Sequence, residues 1–282
     1  MFSKKLSIIA WSVLSLSILA TSCKREKEDD TIINNESTGY AEEQLILEQI
    51  YSNADRVVDR ALALGVSSLK GGEHPLGGCT EVKIDTTDNP DIDLMTIDFG
   101  GSGCLGYDGR IRTGKLLVYF ANKVKDTEAG YYRRTVFNMY TVDGHRVGGH
   151  REMWYNGTGT TGMHSHNIVS VDTIYLPNNT GKVTGSSLRT REWFQGVSTP
   201  QTADDIYRLT GSGNFIRPKG ERYYVEIAKP LVDALNCNWI NEGVTNVYPE
   251  GATQRVLDYG EGDCDNDAII NVNGVKRIAK IP

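Results

Sequence analysis

Cys23 closes the run Ile18-Leu19-Ala20-Thr21-Ser22-Cys23, which follows Lys4, Lys5 and an apolar stretch from Leu6 to Leu19 broken by four serines. Small residues ahead of a cysteine, after a basic start and a short apolar segment, read as a lipobox at the end of a secretory signal. The chemistry is covalent: the Cys23 thiol takes a diacylglyceryl thioether, and cleavage before it makes Cys23 the new N-terminus. A membrane-spanning helix needs about 20 mainly apolar residues, and this stretch is shorter and serine-rich. The expected organisation is a lipoprotein signal peptide over 1–22, a lipidated flexible tether over 23–39 and a single helix-plus-β domain over 40–282.

Four more cysteines sit in an internal echo. Cys79 leads through Ile97-Asp98-Phe99-Gly100 to Cys104, and Cys237 leads through Leu257-Asp258-Tyr259-Gly260 to Cys264, with separations of 25 and 27 residues. Four cysteines in an exported chain permit three pairings. The echo selects Cys79 with Cys104 and Cys237 with Cys264, each closing a loop for which chain entropy gives about 3–4 kcal/mol.

The other reactive residue types make weaker patterns. Asp263, Asp265 and Asp267 alternate, as carboxylates offered to one side of an extended segment would. A calcium loop of the EF type wants Gly at its sixth position and an acid at its twelfth, where this chain has Ala268 and Gly274. A solvated acidic turn is therefore expected. His164 and His166 have the two-residue spacing that puts both imidazoles on one strand face, but no third ligand is evident, so they are expected to face solvent. Asp98 and Asp258 occupy equivalent places in the echo; paired carboxylates serve glycoside hydrolysis, yet repetition before Gly points to turn-forming acids that accept backbone N–H groups. Arg189-Thr190-Arg191-Glu192-Trp193-Phe194 offers cations and aromatics to an acidic ligand or a glycan, or else is a strand with Arg189, Arg191 and Trp193 on one face and Leu188, Glu192 and Phe194 on the other. No Gly-x-Ser-x-Gly elbow occurs. No catalytic residue, metal site or cofactor is assigned.

The elements that must carry these residues follow from periodicity. From Tyr40 to about Leu64, Leu47, Ile50, Ala54, Val57, Val58, Ala61 and Leu62 recur at three- and four-residue steps, which predicts one amphipathic helix. Beyond Gly65 thirteen short apolar runs alternate with Gly, Asn, Asp and Pro, the texture of antiparallel β structure. Asp143-Gly144 and Asn273-Gly274 place residues tolerant of positive φ at tight hairpins. The expected fold class is mainly β: an antiparallel meander closing as a sandwich or barrel, with the N-terminal amphipathic helix packed on the sheet. The composition, 39% hydrophobic and 23% charged, suits a globular body. The net charge of −6 becomes −8 once Lys4 and Lys5 leave with the signal, which disfavours a nucleic-acid partner.

The charged run Lys24-Arg25-Glu26-Lys27-Glu28-Asp29-Asp30 resembles the export signal that sends lipoproteins of the Bacteroidota to the cell surface. With the lipobox, the two Cys-ended echoes, Arg189-Thr190-Arg191-Glu192-Trp193, Lys229-Pro230-Leu231 and Cys237-Asn238-Trp239, the chain resembles an uncharacterised family of exported β-rich lipoproteins of the Bacteroidota. That resemblance implies an outer-membrane, lipid-anchored protein at the cell surface, or alternatively on the periplasmic face, and brings no activity with it. The expected partners are the membrane, through the N-terminal lipid, and a glycan or an envelope protein. The leading expectation is a non-enzymatic binding or structural module, with a carbohydrate-active hydrolase using paired carboxylates as the alternative.

Overall fold

The computed structural model describes residues 35–64, 76–159, 162–199 and 201–282. Cys23, the signal peptide and the first part of the tether lie outside the described residues. A helix, α1, runs from Asn35 to Leu64, so it begins within the stretch read as tether. Among the described residues the strands are β1 (Glu81–Thr86), β2 (Ile92–Asp98), β3 (Cys104–Leu105), β4 (Ile111–Ala121), β5 (Tyr132–Val142), β6 (His145–Thr158) and β7 (His164–Tyr175). They continue as β8 (Lys182–Gln195), β9 (Ile206–Ile216), β10 (Arg222–Ala234), β11 (Glu242–Pro249), β12 (Arg255–Glu261), β13 (Asp267–Val272) and β14 (Val275–Lys280). Only the two-residue β3 has no counterpart among the thirteen runs.

All strands belong to one antiparallel sheet in which neighbours in sequence are neighbours in space, except that β2 and β3 pair different stretches of β4. The tight hairpins have the expected backbone: Asp143 and Gly144 stand at φ 48° and 80°, Asn273 and Gly274 at 53° and 85°. The edges β1 and β14 each pair on one side only. The sheet therefore neither splits into a sandwich nor closes as a hydrogen-bonded barrel. Cys79 is bonded to Cys104 and Cys237 to Cys264. In both echoes the acid folds its turn as expected, with Gly100 N–H donating to Asp98 at 2.9 Å and Gly260 N–H donating to Asp258 at 3.0 Å.

The helix packs on the sheet as expected, and the sheet curls around it. Successive helical residues point about 100° apart, and three in a row find partners on three separate parts of the sheet. The Tyr51 hydroxyl accepts from Thr173 N–H on β7 at 2.9 Å, Ser52 donates to Asp233 on β10, and Asn53 accepts from Arg112 on β4. Leu45, Leu47, Ile50, Ala54, Val57, Val58 and Ala61 are all buried, but so are Gln44, Gln49, Asn53, Asp55 and Arg56. An apolar stripe is present; the side opposite it, expected to be wet, is enclosed as well.

What lets a polar helix be enclosed is charge pairing. Burying an ion is tolerable only when it is paired and hydrogen-bonded. Glu48 meets Arg189, Asp55 meets Arg133 (3.3 Å) and Arg151 (3.0 Å), Asp59 meets Arg133 and Arg191, and helix Arg56 donates to Asp233 at 2.6 Å. Arg112 is held by Asp108 and sits beneath the Tyr140 hydroxyl at 3.2 Å. Apart from Arg56, each of these arginines comes from an inward-facing strand position, so β4, β5, β6 and β8 each send at least one guanidinium to the sheet interior.

Candidate functional site

An up-and-down meander puts alternate loops at the same end. The loop between β4 and β5, the loop between β8 and β9, and the last turns of α1 thus gather at one mouth of the curled sheet. They enclose a cavity of about 350 Å³ lined by Asp59, Leu62 and Ala63 of the helix, Phe120, Asn122, Lys125, Asp126 and Tyr131 from the first loop and its flanks, and Trp193, Thr202, Asp205 and Tyr207 from the second. That volume lies within the range of small-molecule sites.

The floor of the cavity is the Asp59 ion cluster. Burial alone would raise the Asp59 carboxyl, but Arg133 and Arg191 outweigh it and hold Asp59 well below the usual carboxylate range. Arg191 also lies flat over the Tyr207 ring, 3.4 Å from its centroid, leaving its charge fully engaged. Above this floor the walls are aromatic. The Trp193 and Tyr207 rings are 5.6 Å apart, and the Trp193 indole N–H donates to Asp205 at 3.1 Å. Tyr131 packs edge-on to His166 at 5.6 Å, and a ring nitrogen of His166 meets the Asp126 carbonyl at 2.7 Å.

Two carboxyls at this mouth differ from those in the floor. Neither Asp126 nor Asp205 forms an ion pair among the described residues. Burial raises Asp126, and the nearby Asp59 charge adds to the effect. Burial likewise lifts Asp205 to about 6, aided by Asp204 and Asp59 and opposed by the Trp193 N–H. Raised carboxyls in a cleft mark functional candidates because the structure spends stability to keep them there. Chemically, they accept hydrogen bonds from hydroxyl or ammonium groups when ionised, and Asp205 can donate a proton near pH 6.

The residues singled out by sequence separate clearly. Arg189 and Arg191 do not present cations to a ligand: Glu48 and Asp59 occupy them inside the sheet. Their face was read correctly, and Trp193 on the same face reaches the mouth cavity. His166 is 4% exposed and does not face solvent; burial lowers it to about 4, while His164 is half-buried with its ring nitrogen 2.9 Å from the Tyr155 hydroxyl. Asp263 and Asp265 are exposed, and Asp267 is paired with Lys280. Among the described residues no group of three or more His, Cys, Asp or Glu is placed to hold a metal. Among them, too, no helix is long and apolar enough to cross a membrane.

Asp126, Tyr131, Asp205 and Tyr207 carry no local motif. The signal that could have found them is loop parity: every second connection of a meander opens at the same end. A second surface feature lies on the outer face, where Val171, Ser186, Asn214, Tyr224 and Tyr248 form one register row across β7 to β11 along a shallow groove of about 630 Å³. Its tyrosines stack at 6.0 Å. No protein-family profile matches the chain, and no curated protein or solved structure is similar to it.

Proposed function

We propose that this chain is an exported lipoprotein of the Bacteroidota, anchored in the outer membrane through Cys23 and displayed at the cell surface, whose helix-end mouth binds a hydroxyl-rich ligand, a glycan. One observation carries the binding reading: Asp126 and Asp205, in no ion pair among the described residues, share a cavity with Trp193 and Tyr207. Sugar rings stack on aromatic faces while their hydroxyls donate to carboxylates, so this lining suits them, and an anionic ligand would be repelled. The anchor and the address rest on the lipobox and the charged run after it. The test is a glycan array probed with the full chain beside Trp193→Ala and Asp205→Asn. Binding lost in both variants supports the reading; no binding, or binding that ignores both substitutions, sinks it. The address is tested by treating intact cells with protease, where survival of the protein alongside a periplasmic control would move it to the inner side of the membrane.

A second reading, a polysaccharide hydrolase, is favoured by one fact: a carboxyl raised to about 6 is suited to general-acid catalysis. The two readings have opposite pH dependence. As an acceptor Asp205 must be ionised, so binding strengthens as pH rises through about 6. As a general acid it must be protonated, so turnover falls over the same interval.

A further inference from the structure

The mouth that holds Trp193 gathers more negative charge than its own cations cancel. Asp126 stands on the exposed loop after β4, and Asp205, on the loop after β8, is only 4% exposed while still lining the cavity. One Asp205 oxygen accepts from the Trp193 indole at 3.1 Å; the other, Oδ2, accepts from no group among the described residues. The Asp59 charge reaches both carboxyls, Asp204 adds to it at Asp205, and Arg133 and Arg191 offset only part of the effect. Those two guanidiniums are themselves held by Asp59. His166, lowered to about 4, is uncharged at neutral pH, and Lys125 belongs to the exposed loop. Both carboxyls also lie within electrostatic reach of the Tyr207 phenol, so they converge on one ring. Arg191 already covers that ring, 3.4 Å from its centroid, whereas no cation stacks on neighbouring Trp193 among the described residues.

We propose that the glycan taken by this mouth is an amino sugar with a free amine, its ammonium seated by Asp126 and Asp205 against the Trp193 face. The inference rests on the glycan reading and narrows it from hydroxyl-rich ligands in general to cationic ones. An ammonium brings the positive charge that the two carboxyls lack and three N–H donors. Hydrogen bonds with both partners charged are roughly twice as strong as neutral ones, and indole is the best aromatic face for a cation. An N-acetylated sugar of the same shape offers a single uncharged N–H there, and a plain hexose a hydroxyl. Both would leave the carboxyls facing one another and Asp59 without a counter-charge, so selection follows from what the site lacks as well as from what it offers.

The experiment is calorimetry at pH 7 on the full chain with three trisaccharides of one linkage, built from glucosamine, N-acetylglucosamine and glucose. The glucosamine form should bind at least about tenfold more tightly than either neutral form, a ratio that is read without any variant. Asp126→Asn, on the exposed loop, and Asp205→Asn should each bring that ratio towards one. Glu250→Gln, exposed on the turn after β11 at the other end of the sheet, should leave it unchanged and so controls for the general acidity of the chain. Equal or absent binding of the three, with a binder elsewhere on the glycan array, overturns the ammonium and leaves the glycan reading standing. An array with no binder removes both. A preference that survives both Asn variants, or 1,4-diaminobutane bound as tightly as the amino sugar, also overturns the proposal.

Discussion

Asp59→Ala is the sharpest test of the enclosed helix. Asp59 is the shared anion of Arg133 and Arg191, both buried, with Arg191 2.6 Å away. Removing it leaves Arg133 with Asp55 at 3.3 Å and strips Arg191 of its carboxylate, so two like charges face each other in the interior. Deleting one partner of a buried pair costs about 3–5 kcal/mol. Against a total stability of about 5–15 kcal/mol, that is a large share, and for a domain of this size it lowers Tm by roughly 6–20 °C. Urea unfolding followed by tryptophan fluorescence measures it, with an unchanged slope as the sign that only stability moved. The exposed pair Lys83 and Asp85, with side chains 73% and 44% exposed, is the internal control: Asp85→Ala should cost less than about 1 kcal/mol. Replacing the cluster together, as Asp59→Leu with Arg133→Met and Arg191→Met, should recover most of the loss because no ion is left unpaired. A cost below about 1 kcal/mol for Asp59→Ala, or a triple variant no better than the single one, would refute the buried cluster.

Other expectations follow from the same interior. His166 is lowered to about 4 in the folded protein against about 6.5 when unfolded. The unfolded chain therefore takes up its proton first, and the His166 contribution to stability falls as pH drops from about 6.5 towards 4, by about 3 kcal/mol in all. Asp59 and Asp108 are depressed, the latter to about 2; their contribution is intact above about 4 and is lost only below it. Asp205, raised to about 6, adds stability as pH falls over the same interval, so the test is a difference: the urea midpoint of the parent should fall relative to that of His166→Phe between about pH 6.5 and 4.5, and parallel curves would exclude His166. The Cys79–Cys104 and Cys237–Cys264 loops span 25 and 27 residues, so double Cys→Ala variants of either should lose nearly equal stability, about 3–4 kcal/mol each. Unequal losses by equilibrium unfolding would point to packing rather than loop closure. Trp193→Phe should keep an aromatic cover over Asp205 while removing the hydrogen bond that lowers it, moving its NMR titration midpoint upward from about 6; no movement would show the indole contact to be absent in solution.

Local chemistry was legible in the sequence, and distant pairing was not. Asp98 and Asp258 form the turns their repetition suggested, and Asp143-Gly144 closes its hairpin because only residues at ease with positive φ suit it. The alternation Arg189, Arg191, Trp193 was visible as one strand face. What that face meets was hidden, since Arg189 finds Glu48 across 141 residues and Arg191 finds Asp59 across 132. The helix shows why periodicity misled: Asp55 and Arg56 look like a wet surface in any amphipathic plot, yet a curled sheet supplies a partner on every side. Asp126 and Asp205 escaped notice because a loop acid acquires its character only when another loop closes over it.

The ion pairs along α1 also have a mechanical consequence. Glu43, Glu48, Asp55 and Asp59 are gripped at intervals over more than four turns by residues of β5, β6, β8 and the turn after β9. A pull entering at the N-terminal end runs along the helix axis and strains these grips together, in shear, instead of peeling them one after another. The sheet then acts as a sleeve and the helix as a threaded pin, so tension applied at Asn35 would be shared by many strands before any single hairpin opened.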